Sequence, residues 1–475
     1  MSLAGTNMRR NHRWMAVYAL YLAMFMNILD MTIVNLALPA IRSELNATDT
    51  QLEWVVVVYI LTFAAGLLPF GRFGDVVGRD KVFLWGVAGF TGSSLACGLA
   101  PDIHFLIISR AVQGLCAAAM VPQVLAIVHV MFNDAEKGKA IGLFGSVSAL
   151  GAVAGPLVGG LIVTLDMFDL SWRPIFLMNL PVGLVSILGA LRFLPTLQAG
   201  RRVDPDWAGT ALFLLAVTLV LFPLVEGRQF GWPLWCFALM ALGLCGGVFF
   251  YRLQVRNCES GLPELLPVSI CRDRLFVLGV AYVSICFSAL AGMFFVMSIY
   301  LQTGLGLTPL FAGLILAPHP MGVMLASTLT GRLGARAQEL RVLTGSSVVL
   351  VGVTLLWLVA SYGLAATAGF WLGLPLLVVG LGTGVLIPAL FQRVLSRVSG
   401  VDAGAGSGVL QAFQQLGMAV GIALQGQIFF QALEKSPAGY SSAASLTLLY
   451  PMIFFGVLVA LSFFFYLERQ SDRTP

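Results

Sequence analysis

Two ionisable side chains stand alone inside long apolar runs, and they carry opposite charge. Asp30 lies in MFMNILDMTIVNLALP (residues 24–39), and Arg110 opens the phrase RAVQG (residues 110–114). Burying either group alone costs several kcal/mol, so such residues face water or one another and mark an ion path. At about 1.5 Å per helical residue, Asp30 lies roughly 14–16 Å and Arg110 about 12 Å below the same membrane surface. Desolvation and a neighbouring cation act on a carboxyl's proton affinity in opposite senses, which suits Asp30 to exchange a proton. The sequence therefore points to Asp30 and Arg110 as a proton-coupling pair, against the plainer alternative of a static bridge between two helices.

Other polar residues lie within the spans, His319 at a comparable depth. His319, in LAPHPMG, is the candidate for a second titrating site, although a lone histidine in a helix is more often a core residue. Asn35 and Gln113 accompany the two charges, and Gln411, Phe413, Gln414 and Gln415 fall in one later helix. Together they are candidates to line a substrate cavity, while glutamines at helical spacing serve equally to knit helices together.

These residues need elements that hold them in a bilayer. With 475 residues, 59% hydrophobic and 10% charged, the chain is too apolar to cover itself in water, which implies a polytopic membrane protein. Apolar runs long enough to cross begin near residues 14, 52, 82, 104, 139, 173, 207, 232, 275, 309, 342, 369, 404 and 445. None alternates like a barrel strand, so an all-α integral membrane protein with fourteen spans is expected. The first run follows Arg9, Arg10 and Arg13, but its length and its aspartate argue for a retained helix over a cleaved signal.

Basic residues orient the chain. With both termini cytoplasmic, all but five of the 27 Lys and Arg residues fall inside; Arg42, Arg173, Arg228 and Lys435 lie outside and Arg110 within a span. Of the 22 acidic residues, Asp30 alone is placed within a span. The net charge of +5 follows from topology and gives no reason to expect nucleic acid as a partner. The seven cysteines form no CxxC pair, so no metal site is expected, and no GxxxxGK[ST] loop for ATP occurs.

The chain also repeats itself. GLFGSVSALGAVAGPLVGGLI from Gly142 and GVLQAFQQLGMAVGIALQGQI from Gly408 align without gaps, pairing Gly151 with Gly417, Gly155 with Gly421 and Gly160 with Gly426. GRFGDVVGR from Gly71 and GRLGARAQE from Gly331 align at a similar offset. That offset exceeds six helices by two. The expected organisation is a six-helix bundle over 1–200, two additional helices over 201–258, and a second six-helix bundle over 259–475, with the substrate site between the bundles.

Four phrases carry a family resemblance: DMTIVNLALP from Asp30, GRFGDVVGRDK from Gly71, RAVQG from Arg110 and GAVAGPLVGG from Gly151. Together they resemble signature motifs of the major facilitator superfamily, and with fourteen helices they resemble its drug:proton antiporter subfamily. The resemblance implies the major facilitator fold and a conformational latch in the loop of Gly71, Asp75, Gly78 and Arg79. Ala335 stands where a second Asp75 would be, so the latch is expected on one side only. It also implies that the helix containing Gly151, Gly155, Pro156, Gly159 and Gly160 is of the exporter type; read from the residues alone, it permits tight packing and a bend at the proline.

The expected function is proton-coupled efflux of lipophilic or cationic amphiphilic drugs by alternating access, driven by the proton gradient without a cofactor. The expected setting is a bacterial inner membrane, with a monomer as the working unit. A dedicated exporter of an endogenous metabolite is the alternative, ahead of a nutrient importer or a non-transporting receptor. With one embedded acid, dications are expected to be handled poorly.

Overall fold

The computed structural model describes residues 10–132, 134–166, 169–196, 206–262, 264–266, 268–331, 337–362, 369–396, 398, 403–436 and 439–471. Helices make up nearly all of them. Most of the linker 195–207 and the second-copy loop containing Ala335 lie outside the described residues, so the one-sided latch is not addressed.

The first group of helices is α1 (Arg10–Leu45), α2 (Asp49–Val77), α3 (Arg79–Gly98), α4 (Ile103–Met131), α5 (Asp134–Leu165) and the broken pair α6 (Pro174–Leu177) and α7 (Asn179–Phe193). Two further helices follow, α8 (Trp207–Glu226) and α9 (Leu234–Glu259). After the short α10 (Val268–Cys271) come α11 (Arg274–Ile299), the broken pair α12 (Pro309–Leu316) and α13 (Pro318–Gly331), α14 (Gln338–Ser361), α15 (Gly373–Leu395), α16 (Ala403–Lys435) and α17 (Tyr440–Ser471).

Among the described residues thirteen spans are long and apolar enough to cross a bilayer. The expected fourteenth, near residue 82, is α3, which is absent from that set. Arg79, Asp80 and Lys81 crowd its first turn, and Gly, Ser and Thr recur along the rest.

Local sequence sets the ends. Thr48 forms a capping box with Gln51 at the start of α2, Asp102 caps α4 through the Phe105 amide, and Thr308 caps α12 just before Pro309. The run from Pro309 is broken at Ala317, where Pro318 and Pro320 remove two backbone donors. Glycines set the spacing between helices. Gly151 and Gly155 bring α5 onto the α1 backbone at Phe25 and Leu29, and Gly417 and Gly421 bring α16 onto the α11 backbone at Ser284 and Ser288.

The end of the bundle holding the α1–α2 turn, residues 226–233 and residues 300–308 is the outer end in the orientation expected from the basic residues. There the two groups of helices meet closely. Ser298 Oγ donates to the Asn35 carbonyl (2.6 Å), and the Leu310 amide donates to Thr164 Oγ1 (2.9 Å). A methyl group on Gly160 would lie 2.5 Å from the Pro309 carbonyl oxygen.

Candidate functional site

Asp30 and Arg110 form a buried ion pair, Oδ2 to NH1 at 2.6 Å, with exposures of 0% and 1%. The pair joins α1 to α4 and is one part of a larger network. Gln113 Nε2 and Asn179 Nδ2 donate to Asp30 Oδ1 at 3.1 and 2.9 Å. Arg110 also donates to Gln113 Oε1 (2.6 Å) and to the Val55 carbonyl (3.2 Å), and Ser94 Oγ accepts from both Gln113 and Asn179. The guanidinium lies 4.2 Å from the Tyr59 ring centroid and 5.7 Å from that of Phe176. Each carboxylate oxygen therefore has a donor, and the cation rests on aromatic faces, the condition under which buried charge is tolerated.

Backbone geometry makes this possible. Gly114 lets α4 close onto the α2 backbone at Tyr59, which brings the Arg110 side chain within reach of the Val55 carbonyl. The break at Met178 makes Asn179 the first residue of α7 and turns its amide toward Asp30.

Several expectations change here. Gln113, expected in a substrate cavity, is fully buried and holds Asp30 in place. Asn179, Ser94 and Tyr59 were not expected in the site. Asn179 is a lone polar residue in an apolar run, Ser94 follows Thr91 and Ser93, and Tyr59 is one aromatic among many, weak signals that do not say where a side chain points. Asp30 is also not the only buried carboxylate of a span. Glu53, counted by sequence with the outer segments, is 0% exposed on the inward face of α2. This removes the single-acid premise behind the expectation about dications.

The remaining residues lie apart from the pair. Asn35 is partly buried near the outer closure, with its side-chain Oδ1 unpartnered. The half-buried His319 packs on Phe294, ring centroids 4.5 Å apart, and its Nε2 has no hydrogen-bond partner. In α16, Gln411, Phe413 and Gln414 are half-buried and Gln415 is buried with its Oε1 unpartnered, a polar surface without charge. Asp75, exposed, and Arg79, half-buried, pair with each other (2.6 Å) across one turn, so these two expected latch residues are engaged with one another. Gly78 joins α2 to α3 with φ 115°, a conformation that favours glycine, and Gly71 approaches Pro122 of α4. Along α5, Gly159 faces Ile33 of α1, and the Pro156 carbonyl is covered by Gly313 of α12; the motif thus serves as a close-packing surface on two sides.

Comparison with known proteins places this geometry. Residues 20–422 match the family model described as Major Facilitator Superfamily. The chain is 38% identical over 435 residues to the probable actinorhodin transporter of Streptomyces coelicolor, covering 91% of this chain and 75% of that one. It is 32% identical over 413 residues to the multidrug resistance protein Stp of Mycobacterium tuberculosis, covering 86% and 74%. Its fold is similar to a crystal structure of a POT family transporter in complex with 5-aminolevulinic acid, with a TM-score of 0.69, 13% identity and 98% of each chain covered. An all-helical membrane chain in which two of the four motifs meet in one buried ion pair, matched along most of its length, belongs to the Major Facilitator Superfamily of transporters and is not an enzyme.

Proposed function

We propose that this transporter is a proton-coupled exporter of lipophilic or cationic amphiphilic compounds. It has fourteen spans, α3 included, in two six-helix bundles with α8 and α9 between them. Both termini face the cytoplasm of a bacterial cell, and the monomer is the working unit. The observation that carries the reading is Asp30, fully buried, with Arg110, Gln113 and Asn179 all donating to its carboxylate. Three donors suit the ionised form. In the outward-open state Asp30 takes a proton from outside, and Arg110 is released from it. In the inward-open state the proton leaves, the pair re-forms, and substrate is accepted from the cytoplasmic side.

The energetics are sufficient. One inward charge is worth about 2.3 kcal/mol per 100 mV, and a tenfold gradient of a neutral solute costs about 1.4 kcal/mol. The neutral polar surface of α16, with Gln411, Gln414 and Gln415, supports substrate contact in the other half.

The test is uptake of a fluorescent amphiphile into inverted vesicles driven by a pH difference alone. Asp30→Asn is expected to lower uphill uptake at least about tenfold, or ~1.4 kcal/mol of driving interaction, while downhill exchange persists. Full uphill uptake by that variant would reduce the pair to a helix-to-helix bridge. A second reading, export of one self-made metabolite, is favoured by the identity to a probable actinorhodin transporter. A broad substrate screen separates the two, since a dedicated exporter moves one compound class.

A further inference from the structure

Glu53 differs from Asp30 in every respect except burial. It lies on the fifth residue of α2, about 6 Å from the outer end of that helix. Both carboxyl oxygens are buried and neither has a hydrogen-bond partner. The carboxyl tip is pressed against α16: a methyl group on Gly426 would lie 2.7 Å from Oε1 and 2.9 Å from Cδ. Glu53 therefore stands in the seam where α2 of the first group closes on α16 of the second.

The charged groups around this seam have partners of their own, although the buried Nε of Arg228 has none and that cation partly offsets the cost of a charge on Glu53. Arg228, from the turn after α8, reaches Glu434 at 3.2 Å and Asp49 at 3.9 Å, and stacks over Phe430 at 4.9 Å. Asp49 also pairs with Arg42 of α1 at 2.9 Å. Glu226 of α8 accepts from Trp54 Nε1 at 2.7 Å. Gln427 of α16 donates to the Val225 carbonyl, and Arg110 of α4 is held by Asp30 and the Val55 carbonyl. No donor within hydrogen-bond distance stabilises a charge on Glu53, and three further carboxylates share its surroundings. An ionised carboxylate in such a place is strongly disfavoured, whereas a protonated one suits it.

We propose that Glu53 is a proton-binding site of the outer gate, loaded from the outer water as the gate closes. With α2 and α16 apart, the carboxylate is hydrated and ionised. It takes a proton from a hydronium ion of the outer solution, forming one O–H bond and leaving water, and the neutral carboxyl then enters the seam. On reopening, the proton returns to the same side. Acid outside thus favours closure, and the number of protons carried across is unchanged. The inference uses the alternating access proposed above but not the coupling role of Asp30.

Full-length protein in lipid nanodiscs without substrate, spin-labelled at exposed Ser43 and Thr303 through introduced bio-orthogonal side chains, reports the width of the outer gate by pulsed electron resonance. In the wild type the closed fraction is expected to rise as pH falls. Glu53→Gln, isosteric with the protonated form, is expected to lose that step and to raise the closed-to-open ratio at alkaline pH at least tenfold. An unchanged step in Glu53→Gln overturns the proposal. Should that variant fail to fold, infrared difference spectra of Asp30→Asn between the open and closed pH decide, since that variant lacks the other buried acid of the transport cycle: a carboxylic-acid carbonyl band gained on closing supports the site, and no such band overturns it. The vesicle assay of Asp30→Asn tests the coupling reading separately, because gate width here is read without transport.

Discussion

The two helix pairs α1–α5 and α11–α16 are built alike and equipped differently. Gly151 and Gly155 seat α5 on α1, and Gly417 and Gly421, four residues apart in the same way, seat α16 on α11. On α1 this scaffold carries Asp30, whose carboxylate is saturated by donors from α4 and α7. On α11 the corresponding surface is neutral. Ser284 donates to the Phe413 carbonyl, Ser288 shares a hydrogen bond with Tyr450, and Gln425 donates to the Ser288 and Ala289 carbonyls while its own Oε1 stays open. The difference teaches that a repeated chain can keep its backbone approach, fixed by where a side chain cannot fit, and still assign charge to one copy and adaptable amides to the other.

That contrast can be broken most severely by removing the cation. Arg110→Ala leaves Asp30 with amide donors alone and is expected to cost about 3–5 kcal/mol, read as a lowered thermal midpoint in detergent. A loss under about 1 kcal/mol would show that the network is solvated and not buried.

The likeness of the scaffolds is tested by adding one methyl group to each. Gly421→Ala would meet the Ser288 backbone, with its carbonyl carbon at 2.5 Å and Cα at 2.6 Å, whereas at Gly155 the new methyl would meet the Thr32 side chain, Cβ at 2.8 Å, and the nearest backbone atom, the Leu29 carbonyl oxygen, is at 3.4 Å. Gly421→Ala is therefore expected to cost about 1–3 kcal/mol and Gly155→Ala less, compared by thermal unfolding of the two purified variants. Equal costs would mean that α5 is as rigidly seated as α16.

The smallest effect is expected at the turn between α2 and α3. Asp75 is exposed and pairs with the half-buried Arg79 within one turn, so with the α2–α16 seam closed Asp75→Asn should change stability by no more than about 0.5 kcal/mol. A larger change would mean that the loop engages the other half after all.

Much of the fold was legible because lipid imposes a simple grammar: apolar length, then a cap or a proline. The two breaks were not. Met178 interrupts a run of continuous apolar length, and at Ala317 Pro318 and Pro320 stand inside a run long enough to cross unbroken; the residues just after the breaks, Asn179 and Pro318, alter what each helix presents. Gln113 shows the same limit at the site. Its type and depth were plain, but a glutamine pointing to a carboxylate and one pointing to a cavity read identically in sequence.

By itself the sequence determined that the chain crosses a bilayer many times, that Asp30 and Arg110 share a depth, and that a glycine pattern recurs. Each of these depends on periodicity and on the cost of charge in hydrocarbon, which act along one helix. Only the tertiary structure decided that three donors converge on Asp30 and none on Glu53. Hydrogen-bond saturation is a property of neighbours from different helices. Two carboxylates equally buried therefore differ through α4 and α7 in one case and through the bare backbone of α16 in the other.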